Sequence, residues 1–299
     1  MVDWVVQLPK FPKPDEKVDA LSENYFSGGV TANFSVAVAR LGCTCGFIGA
    51  VGEDSYGEFV INDFKKEGVD TTFTIIKSKR KTPVNFIFIA NGEKTIIQSP
   101  HMKTTKLNIN DLDENYITNS KLLHTTIIHP DLAKKAIEIA KENNVKVSID
   151  LEPQIARRGW DKLKELILKA DILISNRGGA EIITNAKAPS ESADVLIRKG
   201  IPIVIITLGS KGAFYATKNL KKQIPSFNIH TIVDTTGAGD AFNGAFSVAL
   251  WIKKMGLHNS IEYANAAAAL KIKKLGARTG MPNEEEILDF LKKPNTYFS

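Results

Sequence analysis

The chain has 299 residues, of which 43% are hydrophobic and 24% charged, with a formal net charge of +6. That length supports one large hydrophobic core. Its basic residues are scattered, with only short runs such as KSKRK at 77–81, so the charge reads as solvated surface and nucleic acid is not implied as a partner. No stretch approaches 18 apolar residues, and the opening MVDWVVQLPKFPKP lacks a basic start followed by an apolar core. Neither membrane nor secretion is therefore expected, and a cytoplasmic location is. Cys43 and Cys45 form a Cys-x-Cys with no second pair to complete a zinc site, which reads as a reduced, buried pair. Residues 73–76, 82–90 and 94–98 are strand-like with no helix between them, and Asn91-Gly92 is a hairpin signal. Together with the extended region 3–12, the segment 72–98 is expected to form a small antiparallel sheet projecting from a single domain spanning 1–299. From residue 122 the pattern changes. Strand-like runs at 122–128, 145–150, 172–175 and 203–208 alternate with amphipathic helical runs at 131–142, 160–169 and 191–199. This alternation builds βαβ units, hence a doubly wound α/β fold whose mainly parallel sheet is flanked by helices. Further on, 229–233 reads as a strand, 241–253 as a helix apolar nearly all round, and 261–271 as a helix of small residues.

Between the runs at 229–233 and 241–253 lies Gly237-Ala238-Gly239-Asp240. Small residues let backbone approach a ligand closely, and the free amides of a helix's first turn favour negative charge. That combination describes a phosphate cradle. A carboxylate beside a bound phosphate is repelled unless it has a chemical task or a cation nearby. Accepting the proton of an attacking hydroxyl during phosphoryl transfer is such a task. Taken alone, Asp240 is at least as well explained as a first-turn helix residue.

The whole string DTTGAGD at 234–240 resembles the carboxyl-terminal signature of the ribokinase-like (PfkB) carbohydrate kinase family. GGVTAN at 28–33, AVARLG at 37–42 and FIGAVGEDSYG at 47–57 are similar to other family elements and occur in the family's order, so the resemblance runs over nearly the whole chain. It implies a ribokinase-like fold with a β lid that keeps water from the phosphate. It also implies Asp240 as general base, with Gly237, Ala238 and Gly239 as the anion hole. Asp3, Gly28, Gly29 and Asn33 match positions that hold substrate hydroxyls. TLGSKG at 207–212 resembles the nucleotide loop, which places Thr207, Gly209 and Gly212 near phosphates or ribose, and Asn265 resembles a position beside the adenine. GARTG at 276–280, with Asp234 and Thr236, is similar to the family's monovalent-cation loop and implies potassium there. ATP and Mg2+ are the implied cosubstrate and cofactor.

Two departures stand out. Asn176 resembles the start of the family's Asn-x-x-Glu element, which helps place magnesium and phosphate, but its fourth position is Gly179 and the nearest carboxylate is Glu181. Magnesium needs few protein ligands, so this departure bears on how the ion is handled more than on whether it binds. Family members also begin with an apolar strand before the position of Asp3, whereas Met1 stands two residues before it. That implies either a longer native product, the preferred expectation, or a sheet with one strand fewer.

The expected activity is transfer of the γ-phosphoryl group of ATP to a hydroxyl of a small sugar. A nucleoside is the second choice, with Trp4, Phe11, Phe86 and Phe88 as a candidate slot for its base. A non-catalytic sugar-binding protein ranks lower. So does a dinucleotide-binding oxidoreductase, whose G-x-G-x-x-G belongs in the first βα turn. Exposed lid residues Trp4, Phe86 and Phe88 point to a homodimer joined lid to lid.

Overall fold

Twelve strands fall into three sheets in the computed structural model, which describes residues 1–293. In chain order they are β1 (Val2–Gln7), β2 (Ser22–Ser27), β3 (Gly49–Gly52), β4 (Thr74–Lys77), β5 (Val84–Ala90), β6 (Glu93–Gln98), β7 (Leu122–Thr125), β8 (Lys146–Leu151), β9 (Ile172–Asn176), β10 (Ile203–Thr207), β11 (Ala213–Ala216) and β12 (Lys221–Ile224).

The main sheet has the order β12-β11-β10-β9-β8-β7. Its β7 to β10 are parallel, while β11 and β12 fold back antiparallel. Helices Pro130–Glu142, Trp160–Ile167 and Pro189–Arg198 make the crossovers. Alternate side chains of the central strands enter two cores. Val147, Ile149, Leu151, Leu173, Val204 and Ile206 pack with the crossover helices, whereas Ile172, Ile174 and Ile205 pack with Phe242, Phe246, Ala264 and Ala267. Burial on both faces explains why these strands read as unbroken apolar runs, as a doubly wound sheet requires. The helix Pro130–Glu142 shows the local logic: proline in its first turn, Ala133, Ala136, Ile137 and Ala140 on its buried stripe, and a left-handed Asn144 just past its end.

The lid is the sheet β2-β1-β5-β6, and it differs from the antiparallel arrangement expected. β1 and β5 run parallel, flanked by antiparallel β2 and β6. Asn91 and Gly92, both with positive φ, turn the β5–β6 hairpin as expected. Ser22–Ser27 joins the lid although its sequence, SENYFS, has no apolar alternation, because its strand is mostly exposed. Thr74–Lys77 leaves the expected lid segment and pairs in parallel with β3. Thr74 is buried there and its hydroxyl donates to the Phe47 carbonyl, 3.0 Å away, so this strand belongs to the body and the lid segment starts at Val84.

Residues 229–233 are not a strand. The amides of Val233 and Asp234 both donate to the Ile272 carbonyl at a helix end, and the side chains of Ile232 and Val233 are exposed, so the apolar run is no core strand. The following helix starts at Ala238, three residues earlier than expected, which puts Asp240 inside its first turn. It changes to a wider π-helical turn at Val248–Ile252. Among the described residues no helix is long and apolar enough to cross a membrane. Both cysteines are free, as expected, though partly rather than fully buried.

Candidate active site

A cavity of 1880 Å³ lies between the inner face of the lid and the amino end of helix Ala238–Ser247, and it extends toward the edge strand β7. Asp3, Gly28, Gly29, Asn33, Asn176, Asp234, Thr236, Gly237 and Asp240 all line it. Gly237 is left-handed, and a Cβ there would stand 2.4 Å from the Ala277 carbonyl oxygen, so only glycine makes the bend that starts this helix. The Ala238 amide donates to the Thr235 carbonyl at 3.2 Å, while those of Gly239 and Asp240 have no acceptor within the helix.

Asp240 is 8% exposed and accepts a 2.8 Å hydrogen bond from Asn33 Nδ2. Asn33 Oδ1 in turn accepts from Arg278 Nε at 2.9 Å. The buried Arg278 guanidinium is ion-paired with Asp63 and lies 4.9 Å from the centre of the Phe64 ring. Burial pushes the Asp240 carboxyl up to about 7; the Asn33 hydrogen bond and the Arg278 charge oppose this, and Glu152 adds to it. Asp150, at the end of β8, donates no charge relief. Its carboxyl is held well above the usual carboxylate range by burial and then by Asp240, and it accepts from Asn243 Nδ2 at 3.0 Å.

On the lid, Asp3 Oδ1 accepts from Asn85 Nδ2 at 2.8 Å, and burial raises its carboxyl. A Cβ at Gly28 would lie 2.1 Å from Asp3 Oδ2, so this glycine makes room for the carboxylate. Gly29 adopts φ 107° at the start of helix Val30–Arg40, which carries Asn33.

Asn176 ends β9 and caps helix Arg177–Thr184 by accepting from the Gly179 amide at 2.9 Å. Gly179 has a packing reason: a Cβ there would stand 2.5 Å from the Leu151 carbonyl oxygen and 2.4 Å from Ser175 Oγ. Glu181 is engaged by Arg177 at 2.7 Å. Glu152 lines the same cavity as Asn176; no sequence motif marks it, although it sits just past the carboxyl end of β8, where open α/β sheets bind ligands. Asp150, Asn85 and Arg278 were missed as individuals too, since their roles depend on partners 82 to 245 residues away.

The residues expected around the nucleotide are not all gathered in this cavity. Thr207 pairs with Asn176 at the ends of adjacent strands, which links the two regions. Gly209 and Gly212 form the tight β10–β11 turn, where a Cβ at Gly212 would meet the Ile224 carbonyl at 2.0 Å. A separate cavity of 520 Å³ beside this turn is lined by Arg177, Leu208, Ser210, Lys211 and Gln223. Asn265 is buried and donates to the Pro225 carbonyl at 3.0 Å, which staples β12 to helix Leu257–Lys271. Asp234 accepts from the Thr236 amide at 2.9 Å and the Gly276 amide at 2.8 Å, which joins the two segments of the expected cation loop.

The pfkB family carbohydrate kinase model matches residues 1–284. Ribokinase from Haemophilus influenzae is 36% identical over 298 residues, covering 97% of this chain and 95% of that protein. Among solved structures, ribokinase from Thermotoga maritima superposes with a TM-score of 0.82 at 30% identity, covering 98% of this chain and 96% of its own. An E. coli protein assigned as a ribokinase II and solved with ATP and Mg2+ has a TM-score of 0.82 at 26% identity, covering 97% and 96%. This chain belongs to the pfkB family of carbohydrate kinases and is a phosphotransferase with a hydroxyl group as acceptor.

Proposed function

We propose that this enzyme transfers the γ-phosphoryl group of ATP to a primary hydroxyl of a small sugar, with Asp240 as general base. The observation that carries the reading is the position of Asp240, which is buried in the cavity wall in the first turn of helix Ala238–Ser247, with its carboxyl pushed up to about 7 by burial. A base so poised is ionised enough at physiological pH to accept a hydroxyl proton and basic enough to hold it. The sugar hydroxyls would be held by Asp3, Asn85 and Asn33, a carboxylate and two amides converging from lid and body. Amides at Gly237 and Gly239 would take the charge that develops on the migrating group, while that of Ala238 between them is held by the Thr235 carbonyl.

The residues also fit magnesium. Burial raises the carboxyls of Asp150, Glu152 and Asp240; Glu152 adds to the rise at both Asp150 and Asp240, and Asp240 adds to that at Asp150, a repulsion that a divalent cation relieves. Among the described residues no group of three or more His, Cys, Asp or Glu is placed to cage a metal. Glu152 and Asn176 would therefore hold the ion with its waters and phosphate oxygens, where it neutralises phosphate charge. Glu152 would stand in for the carboxylate that Gly179 displaces.

Sugar is favoured over nucleoside because Trp4 and Phe86 lie on the lid face opposite Asp3, where Trp4 stacks with Tyr25 at 5.3 Å, and so offer no slot for a base. ADP release across a panel of sugars and nucleosides tests this. A sugar is expected to give the highest kcat/KM, and exclusive turnover of nucleosides would overturn the sugar assignment.

A further inference from the structure

The resemblance implied a free potassium ion between Asp234, Thr236 and residues 276–280, and the side chains present do not fit one. Lys271, the last residue of helix Leu257–Lys271, is 0% exposed and sends its ammonium into this loop, where Nζ donates to the Asp234 carbonyl at 2.7 Å and lies 4.0 Å from Asp234 Oδ2. The carboxylate also accepts from the amides of Thr236 and Gly276 and from the Thr236 side chain. Burial works to raise the Asp234 carboxyl, but those amides and the Lys271 charge outweigh it, so the group stays ionised. Arg278, although it belongs to the 276–280 segment, turns its guanidinium to Asp63 and Asn33, so Lys271 is the cation paired with Asp234.

We propose that the Lys271 ammonium is a tethered monovalent cation that occupies the potassium position, so that the enzyme neither binds nor needs potassium. A buried lysine is costly unless paired, and here its partner is a carboxylate with a carbonyl, the donor set a potassium ion would use. By gripping the Asp234 carbonyl, it anchors the turn that leads into Gly237 and the first-turn amides. A mobile ion would add a second charge where the Lys271 ammonium already sits.

The proposal deepens the kinase reading, but its decisive arm needs no turnover. Melting of the wild-type protein is compared in potassium chloride and in tetramethylammonium chloride at equal ionic strength, without substrates. No potassium-specific shift is expected for the wild type, while Lys271→Met is expected to melt lower and to regain a few degrees with potassium alone. In the activity arm, potassium should leave wild-type ADP formation unchanged and stimulate Lys271→Met. A potassium-specific rise in wild-type melting temperature overturns the proposal even if Lys271→Met fails to fold. So does a folded, active Lys271→Met indifferent to potassium. Lack of kinase activity with every acceptor would instead count against the function proposed above and leave the melting comparison standing.

Discussion

Asn33 has one hydrogen-bonding arrangement open to it. Arg278 can only donate, so the oxygen of the Asn33 amide must face it, and the Nδ2 group is left to donate to Asp240. The amide therefore holds the carboxylate in place and stabilises its charged form against burial. The arrangement costs stability. Asp240 binds its proton in the native protein up to about pH 7, but in the unfolded chain only up to about 3.8. Between those values the native state holds a proton that the unfolded state has released, so this group's contribution to stability falls as pH rises through that window. At pH 8 the difference corresponds to roughly 4 kcal/mol. Replacing Asp240 with Asn should raise the melting temperature at pH 8, with the gain shrinking toward pH 4. A gain that is independent of pH, or a loss at pH 8, would contradict the assigned burial.

At the scale of elements, Gly179 shows why restoring a family pattern by mutation can fail. The end of β8 passes so close to it that a side chain would meet the Leu151 carbonyl as well as Ser175 Oγ. Gly179→Glu should lower stability by about 1–3 kcal/mol or more, read as a drop in melting temperature, and should not improve turnover. An active variant of unchanged stability would show that the Leu151 backbone yields. The same closeness explains what was legible in the sequence. Alternating helices and doubly buried strands announce themselves through composition, and DTTGAGD identifies Asp240 and its helix. Ser22–Ser27, an exposed lid strand, carries no apolar period, and 229–233 is apolar without being a strand, since Ile229 packs on the core while Ile232 and Val233 border the cavity. Glu152 and Arg278 become site residues only once distant segments meet. A sequence pattern contains no record of those pairings.

Among the described residues a two-sheet body faces a four-stranded sheet across the 1880 Å³ cavity, with Asp3 and Asn85 on the small sheet and Asp240 on the body. In the proposed reaction, exclusion of water would depend on the two halves meeting. The lid's outer face bears Trp4 and Phe86, flanked by Tyr25 (40% exposed) and Ile97 (54% exposed). Trp4 and Phe86 are half-buried against the core that includes Val2 and Phe64, not exposed as expected from the sequence, so Tyr25 and Ile97 would carry the expected pairing of this face with its copy. Light scattering should find a dimer for the wild type and a monomer for Ile97→Glu, whereas a monomeric wild type would mean the lid closes without a partner. The central claim is tested most directly by steady-state ADP formation for Asp240→Asn, together with calorimetric binding of sugar and nucleotide. The variant is predicted to lose roughly 10²–10⁴-fold in kcat while binding both ligands as the wild type does. Turnover near the wild-type rate would contradict a catalytic role for this carboxylate.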